Sequence, residues 1–427
     1  MIIKDWKNMF SSMLYFLKLI FVRKDYDVTF VSSAYFNRGD KGENLLLKPM
    51  INSCKKHKLK YIVFEDTDLK GLYDNFNRSS EALPFDFISL IQIILRKFFN
   101  LFFIKPELES ELYKREYKIS KIIKRLFFNK FRSDVYITLL FNNVTLWRSI
   151  NPDACVVDYQ HGIIFDGHDR YVKDGQPPMI KLSNNIVTMV YGDTFKNILI
   201  NNDKSNFYND KNVIKVGLNK SNNPQKNLSK TNKNILFTLQ ITPDEAYKDV
   251  NENYIKIVEE LIAKNAEFLS SNDYKIILRH HPRYSSKHCP TINCKYGFVD
   301  FDNITPIAEL LDSVHLHMTF NSTSAFEASE IGLPTIFIGM FKEMSPNEIF
   351  LNQYSYPLRD YVVNEYKDLE NILKKLSKES AYNNCCNDVY IWSKDLYSNF
   401  DEIVFENFLL EKTNIRNSNH GRKTYQK

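Results

Sequence analysis

Two clusters of polar residues follow apolar segments in the second half of the chain, and their side chains suit the binding of an anion. Their sequences are Arg279-His280-His281-Pro282-Arg283 and Asn321-Ser322-Thr323-Ser324-Ala325. The segments before them, residues 274–278 and 314–320, are typical of buried strands. Ligands of parallel α/β sheets bind beyond the carboxyl ends of the strands, so imidazole, guanidinium and hydroxyl groups would meet at one edge. This chemistry suits a nucleotide phosphate.

The two clusters differ in how they would hold a phosphate. Ser324 precedes a predicted helix, where hydroxyls and backbone N–H groups can bind an anion, and a simple helix-capping role is the alternative. Adjacent side chains after a strand point in opposite directions, so only one of His280 and His281 is expected to face the ligand. His281 is favoured, because Pro282 fixes the backbone behind it.

Composition argues against a metal site and against a secreted protein. The six cysteines contain no CxxC pair. Zinc would lack partner ligands at useful spacing, since His315 and His317 would share one face of a single predicted strand. We therefore expect no metal and a reducing, cytoplasmic environment. The net charge of +6 and the hydrophobic content of 44% are ordinary for a globular protein.

Candidates for a catalytic base lie in the first half. A predicted strand at residues 154–157 leads into Asp158-Tyr159-Gln160-His161-Gly162. His161 is the leading candidate, because Gly162 permits a tight turn and Asp158 could orient the imidazole. A structural loop histidine is the alternative. Asp40 and Glu43, in the loop after the first predicted strand, are alternative bases or ordinary acids near a helix start.

Two segments of the first half combine large apolar residues with basic ones. Residues 1–24 and 85–130 carry both at helical spacing. This pattern is typical of helices that lie on lipid headgroups, and packing inside a domain is the alternative. Phe and Ile dominate the second segment, so nucleic acid is not an expected partner.

Strands and helices alternate along both halves of the chain. This order predicts an α/β protein with two Rossmann-like domains that face each other across a cleft. Residues 219–234 have almost no apolar content and are predicted to be a linker. The predicted domains are residues 1–218 and 235–412, and the polar, basic segment 413–427 is predicted to be disordered.

The motifs resemble those of a known family. His281-Pro282 and Ser322-Thr323-Ser324 are similar to the His-Pro and Ser-Ser/Thr motifs of bacterial GT-B sialyltransferases and polysialyltransferases that use CMP-sialic acid. The segment from Glu327-Ala328 to Gly332-Leu333-Pro334 resembles a segment common to GT-B donor domains. CDP-glycerol glycerophosphotransferases and capsule Kdo transferases carry a similar pair of motifs. The acidic motif that holds the base in sialyltransferases is not evident here.

The resemblance implies roles for both domains. The first domain would hold the acceptor, and the second would bind the nucleotide sugar, with no separate cofactor. His281 would contact the donor phosphate, and the serines would hold phosphate or the donor carboxylate. The residues expected at the donor site are His280, His281, Arg283, Ser322, Thr323, Ser324 and Glu327.

We expect from this a glycosyltransferase that works with inversion at the inner face of the cytoplasmic membrane. Its donor would be CMP-activated sialic acid or a related acidic sugar, and its acceptor a glycan or glycolipid of a bacterial surface polysaccharide such as capsule or lipopolysaccharide. The alternatives are a transferase of UDP- or GDP-sugars or of CDP-alditols, a UDP-sugar 2-epimerase, and a non-catalytic protein that binds glycans or nucleotides.

Overall fold

The computed structural model describes residues 6–37, 42–66, 78–102, 106–141, 143–218, 233–241, 248–281, 291–342 and 347–413. Asp40, Pro282 and Arg283, nearly all of the predicted linker and residues 414–427 lie outside these ranges. The chain forms two compact units. Unit 1 comprises residues 1–220 and 398–427, and unit 2 comprises residues 221–397.

Unit 1 is built on a 7-stranded sheet with the order β3-β2-β1-β4-β5-β6-β7. All neighbouring strands are parallel. The strands are β1 (Lys24–Ser33), β2 (Tyr61–Asp66), β3 (Leu83–Pro84), β4 (Phe131–Leu139), β5 (Cys155–Tyr159), β6 (Val187–Val190) and β7 (Val213–Lys215). The helices between them are α1 (Trp6–Phe21), α2 (Lys48–Lys56), α3 (Asp86–Phe102), α4 (Glu109–Ile123), α5 (Val144–Ile150), α6 (Met179–Asn184) and α7 (Asp193–Asn202).

Unit 2 is built on a 6-stranded parallel sheet with the order β10-β9-β8-β11-β12-β13. Its strands are β8 (Asn234–Thr238), β9 (Lys275–Arg279), β10 (Val299–Phe301), β11 (Leu316–Thr319), β12 (Thr335–Ile338) and β13 (Val362–Val363). Its helices are α8 (Lys248–Lys264), α9 (Ala266–Ser271), α10 (Ile307–Ser313), α11 (Ser324–Glu330), α12 (Asp368–Leu376) and α13 (Glu379–Ser393). Short 3-10 or π turns occupy Ala34–Phe36, Lys124–Phe128, Asn347–Gln353 and Arg359–Tyr361. The predicted α/β class with two Rossmann-like domains is confirmed.

Each sheet contains a point where the direction of winding reverses. In unit 1, the chain runs from β1 outward to β3 and then returns to add β4 on the other side of β1. In unit 2, the same reversal separates β8 from β11. Loops that leave the two strands flanking such a point diverge, and the crevice between them is where open α/β sheets bind ligands.

Aromatic packing fills the core of unit 1 under α1, α3 and α4. Phe64 of β2 stacks on Trp147 of α5 with ring centroids 5.9 Å apart, and Phe16 of α1 packs on the same group. These contacts bury many of the apolar residues that precede and follow residue 85 in the sequence. These contacts involve only one face of each helix. Ile88 of α3 and Ile119 of α4 are buried, whereas other apolar residues of α1 and α3 are exposed.

The outer faces of α1 and α3 are strongly apolar. On α1, the exposed residues recur every three or four positions, and Phe21 is 76% exposed. On α3, Leu101 is 77% exposed. The apolar face comprises Trp6, Phe10, Leu14, Leu17, Phe21, Ile94, Phe98, Leu101 and Phe102. Within the described residues, no helix combines the length and the hydropathy that a membrane span requires.

The C-terminal helix belongs to unit 1, which differs from the predicted boundary at residue 412. Helix α14 (Glu402–Lys412) begins where the Asp401 carboxylate accepts a 3.0 Å hydrogen bond from the Val404 N–H. It packs on α2, and Lys56 and His57 pair with its carboxylates. The domain predicted from the sequence, residues 235–412, includes residues 398–412. Backbone bonds to unit 1, such as Asp401 N–H to Val216 O at 2.8 Å, place them in the first.

Candidate functional site

The carboxyl ends of β8, β9 and β11 meet at the reversal point of unit 2. The Leu239 N–H donates to Arg279 O at 2.8 Å, and the Gln240 side chain accepts from the Asn321 N–H at 2.9 Å. These bonds connect the loop after β8 to those after β9 and β11. The two polar clusters found in the sequence are therefore brought to the same edge of one sheet.

A buried histidine organises the serine cluster. The Nε2 atom of His317 lies 3.1 Å from Ser324 Oγ and 2.9 Å from Thr238 Oγ1. Its Nδ1 atom lies 2.9 Å from Thr335 Oγ1. Burial without a charged partner lowers the pKa of His317 to about 3, so its imidazole is neutral at physiological pH.

With His317 in its Nε2–H tautomer, the hydrogen bonds of this network can run in one direction, toward the surface. A neutral imidazole donates from one nitrogen and accepts at the other. Ser324 Oγ donates to Ser322 Oγ at 2.9 Å, so the Ser324 oxygen can accept from Nε2–H of His317, whose Nδ1 then accepts from Thr335. Ser322 Oγ accepts twice from Ser324, through its hydroxyl and its backbone N–H, and is half-buried. In this tautomer the Ser322 hydroxyl proton is directed away from Ser324 and can be donated to a ligand.

The start of α11 offers fewer backbone donors than the sequence suggested. The N–H groups of Ser324, Ala325 and Phe326 already bond to Ser322 or Thr323 within the turn. Ser324 is the first helical residue rather than the cap, and its hydroxyl points into the core. Thr323 is exposed at the cap position and makes no side-chain capping bond. Any anion at this site would therefore meet hydroxyls and not a ring of unpaired amides.

The histidine cluster after β9 has a buried and a more accessible member. His280 is largely buried, stacks on Phe301, and donates a 2.8 Å hydrogen bond from its backbone N–H to Asn303 Oδ1. Its Nδ1 atom is buried and has no hydrogen-bond partner among the described residues, and burial lowers the pKa of the imidazole. His281 is half-buried. The stacking of His280 fixes its ring at the sheet edge.

The remaining charged groups near this edge are partly structural. Arg279 is buried and donates to the carbonyls of Asp302 and Thr305, so it fastens the loop after β10. Glu327 lies on the solvent-accessible side of α11, but limited solvation of its carboxyl, together with Glu330, raises its pKa to about 7. The zinc alternative gains no support, since His317 is bound by hydroxyls at both nitrogens while His315 stacks on Tyr382 with centroids 4.0 Å apart.

In unit 1, His161 lies where the sequence placed it, directly after β5. Its ring packs on Phe36 with centroids 4.2 Å apart, so the loops after β1 and β5 are in contact. Gly162 has a φ of +78°, which explains the glycine at this turn. Gln160 is buried and donates to Gly162 O at 2.8 Å, which holds the turn in place.

Asp158 does not act as the partner of His161 that the sequence suggested. Its carboxylate is buried, lies 3.1 Å from Nζ of Lys181, and accepts a 3.1 Å hydrogen bond from the Phe141 N–H. The ammonium is enclosed by aromatic rings, with the Tyr171 centroid at 4.5 Å and the Phe141 centroid at 4.7 Å. Burial raises the pKa of Asp158 and lowers that of Lys181 to about 8. This ion pair is internal, and it holds the loop after β4.

The acidic candidates after β1 occupy different situations. Glu43 forms a 3.3 Å ion pair with Lys48, the first residue of α2, and Asp40 lies outside the described residues. The sequence did not single out Glu65, at the end of β2. Its buried carboxylate accepts from Asn37 Nδ2 at 2.9 Å and from the Ser79 N–H at 3.2 Å, and burial raises its pKa. The feature that could have identified it is an acidic residue directly after the apolar residues 61–64 of this strand.

No protein-family model and no curated protein matches the chain. Solved structures with similar folds include CalG4, the calicheamicin glycosyltransferase, at 11% identity and a TM-score of 0.49, covering 91% of this chain and 98% of its own. The UDP-GlcNAc 2-epimerase from Methanocaldococcus jannaschii has 13% identity and a TM-score of 0.49, with coverages of 91% and 99%. The wall teichoic acid polymerase TagF has 12% identity and a TM-score of 0.48, with coverages of 95% and 97%. Similarity at this level does not distinguish between their reactions.

Proposed function

We propose that the chain is a glycosyltransferase whose nucleotide-sugar donor binds at the carboxyl edge of the unit 2 sheet. The observation that carries this proposal is the hydrogen-bond chain from Thr335 through His317 and Ser324 to Ser322. It lies at the reversal point between β8 and β11, and in the Nε2–H tautomer of His317 it leaves the Ser322 hydroxyl to donate to a ligand. Fixed donors of this kind suit phosphate oxygens, and their rigidity lowers the entropic cost of binding.

His280 supports an anionic ligand at the same edge. Among the described residues its buried Nδ1 atom has no hydrogen-bond partner, and leaving a buried polar atom unsatisfied costs about 1–3 kcal/mol. In the Nδ1–H tautomer, a ligand oxygen that reaches this atom would remove the penalty. The ring is already stacked on Phe301, and Asn303 holds the backbone of His280, so binding would not have to order this residue.

The identity of the donor rests on the motifs. His281-Pro282 and Ser322-Thr323-Ser324 resemble the pair found in enzymes that use CMP-sialic acid, so we propose a CMP-activated acidic sugar. A UDP- or GDP-sugar and a CDP-alditol are the competing donors. The phosphate contacts described above would serve all of them, and only the base and sugar contacts would differ.

The reaction would require a base for the acceptor hydroxyl. His161 is the proposed base: it would take the proton as the acceptor oxygen forms a bond to the anomeric carbon. The bond from that carbon to the phosphate oxygen would break, and the nucleotide would leave with the electron pair. Ser322, together with His280 or His281, would stabilise the charge that develops on the leaving phosphate.

We propose that the enzyme works at the inner face of the cytoplasmic membrane, on a surface-glycan acceptor. The apolar face of α1 and α3 supports this location. The exposed charges on these helices are Lys7, Lys18 and Lys97, and the acidic Asp86 is buried in an ion pair with Arg78. A basic, apolar face complements anionic lipid headgroups.

A thermal-shift panel of CMP, CDP, UDP and GDP tests the donor proposal, because a nucleotide that binds only the folded state raises the melting temperature. We expect cytidine nucleotides to give the largest shift. Products then separate the classes: a new acceptor-linked sugar supports the transferase, and an isomerised free nucleotide sugar supports the epimerase. Binding without turnover supports a regulatory module. If none of the four nucleotides shifts the melting temperature, the proposed function is wrong.

A further inference from the structure

Unit 1 contains a cavity of about 480 Å³ between α3, α4 and the connection from β4 to α5. Pockets for small ligands measure about 300–1,000 Å³. The connection leaves β4, which flanks the reversal point of the unit 1 sheet. The cavity therefore lies beside the crevice where such a sheet would bind a ligand.

Planar polar groups form part of the lining of this cavity. Glu116 accepts from Arg96 through Nε and Nη2, at 3.0 and 2.8 Å to Oε2, and from Arg115 at 2.8 Å to Oε1. Gln92 donates to Asn143 Oδ1 at 2.7 Å. Guanidinium groups only donate, carboxylates only accept, and amides do both. A ligand here meets donors and acceptors side by side, held in fixed orientations.

The charges in the lining are balanced. Arg96 and Arg115 contribute two positive charges, and Glu109 and Glu116 contribute two negative ones. A site for phosphate would show an excess of donors and of positive charge. Alternating donors and acceptors instead match hydroxyl groups, which donate and accept. Apolar side chains also line the cavity, among them Tyr113 and Ile180, and they can cover the C–H face of a sugar ring.

The wall formed by the β4–α5 connection has a strained backbone. Leu140, Phe141 and Asn143 all have positive φ, at 53°, 55° and 58°. Leucine and phenylalanine rarely adopt this conformation, and it persists only where surrounding contacts enforce it. Asp158 supplies one such contact by accepting the Phe141 N–H, and Lys181 holds Asp158. Strain of this kind is concentrated at ligand sites.

We propose that this cavity binds a neutral, hydroxyl-bearing sugar unit. Its assignment as the acceptor rests on the glycosyltransferase function proposed above. The buried pair of Asp158 and Lys181 acts as a positioning element, because it fixes the connection that carries Asn143 to the cavity wall. Arg96, Arg115, Glu116 and Gln92 recognise the hydroxyls.

Saturation-transfer NMR on the full chain tests the proposal with defined probes. The neutral probes are galactose, N-acetylglucosamine and lactose, and the anionic probes are glycerol 3-phosphate and glucose 1-phosphate. We expect at least one neutral sugar to bind, and we expect Arg115→Met and Gln92→Leu each to weaken it at least tenfold. Lys114→Met is the matched control, since Lys114 neighbours Arg115 on α4 but is exposed and outside the lining.

Nucleotide binding, measured on the same samples, separates this proposal from the proposed function. Sugar binding that the two variants abolish, without any nucleotide binding, would support the cavity and overturn the transferase. Binding of the phosphates alone would overturn the neutral-sugar proposal, as would sugar affinities equal in all variants or the absence of binding by every neutral probe. Melting temperatures near that of the wild type would show that the variants are folded.

Discussion

Nε2 of His317 and Oγ of Ser324 lie 3.1 Å apart in the interior of unit 2. This contact ties the serine at the sheet edge to a histidine that is fixed within strand β11. Ser324 is consequently a member of a fixed network and not a simple helix cap. The hydroxyl that it presents to Ser322 is polarised by an imidazole that stays neutral.

Ser324→Ala should weaken nucleotide binding, because Ser322 would lose the donor that orients its hydroxyl. The expected loss is about 1–3 kcal/mol, the scale for a hydrogen bond to a charged group, and His281→Ala should have an effect of the same size. Calorimetry measures both. Ser329→Ala is the matched control, since the hydroxyl of this buried serine of α11 donates to Ala325 O within the helix. Wild-type affinity in both test variants would remove the phosphate assignment.

Acid should destabilise unit 2 through His317. An unfolded histidine takes up a proton near pH 6.5, whereas His317 in the folded chain does so at about 3. Over this interval the unfolded state binds more protons, so stability falls as pH falls, by about 1.4 kcal/mol per pH unit. Urea unfolding at pH 7, 6 and 5 measures how the free energy of unfolding changes with pH, and this change should be smaller for His317→Gln than for the wild type. An equal change in both proteins would mean that His317 already titrates in the folded state.

His161→Ala should reduce turnover by about 10²–10⁴-fold and leave donor affinity almost unchanged, because a general base acts on the acceptor proton. Steady-state kinetics and nucleotide calorimetry separate the two effects. His57→Ala is the control, since His57 pairs with Glu406 at the junction of α2 and α14. Near-normal turnover in His161→Ala would transfer the role to Glu43, Asp40 or another acid.

Breaking the buried pair should unfold unit 1 at lower denaturant concentrations. Asp158→Asn or Lys181→Met leaves an uncompensated group in the interior, at a cost of about 3–5 kcal/mol. Lys173→Met is the control, because the Lys173–Asp169 pair is exposed and worth at most about 1 kcal/mol. Equal midpoints for the three variants would show that the buried pair contributes no more than the exposed one.

Liposome flotation checks the apolar face of α1 and α3. We expect binding to anionic vesicles at low salt and weaker binding at 1 M, where electrostatic screening extends only about 3 Å. Phe10→Ser combined with Phe98→Ser should abolish it. Ile304→Ser is the control, because Ile304 is 95% exposed but lies in unit 2. Absence of flotation at both salt concentrations would show that this face does not bind lipid.

Local patterns predicted the strand ends and missed the contacts made between strands. An apolar run followed by polar residues indicated where β9, β11 and β5 end, so His280 and His161 closely follow their strands, and Ser324 follows the loop after β11 as the first residue of α11. His317 could not be recognised, since its partners Thr238 and Thr335 come from other strands. Lys181 was missed for the same reason. Its short helix, α6, shows no feature in sequence that pairs it with Asp158.

The return of the chain to unit 1 has a consequence for synthesis. Leu218 and Asn399 form a backbone bridge, and a side chain on Gly217 would place its Cβ atom 2.2 Å from Asn399 O. Unit 2 is therefore an insertion between two segments that pair with each other. During synthesis, residues 221–397 leave the ribosome before helix α14 is made. We therefore expect unit 2 to fold before unit 1, which is complete only when α14 has been synthesised.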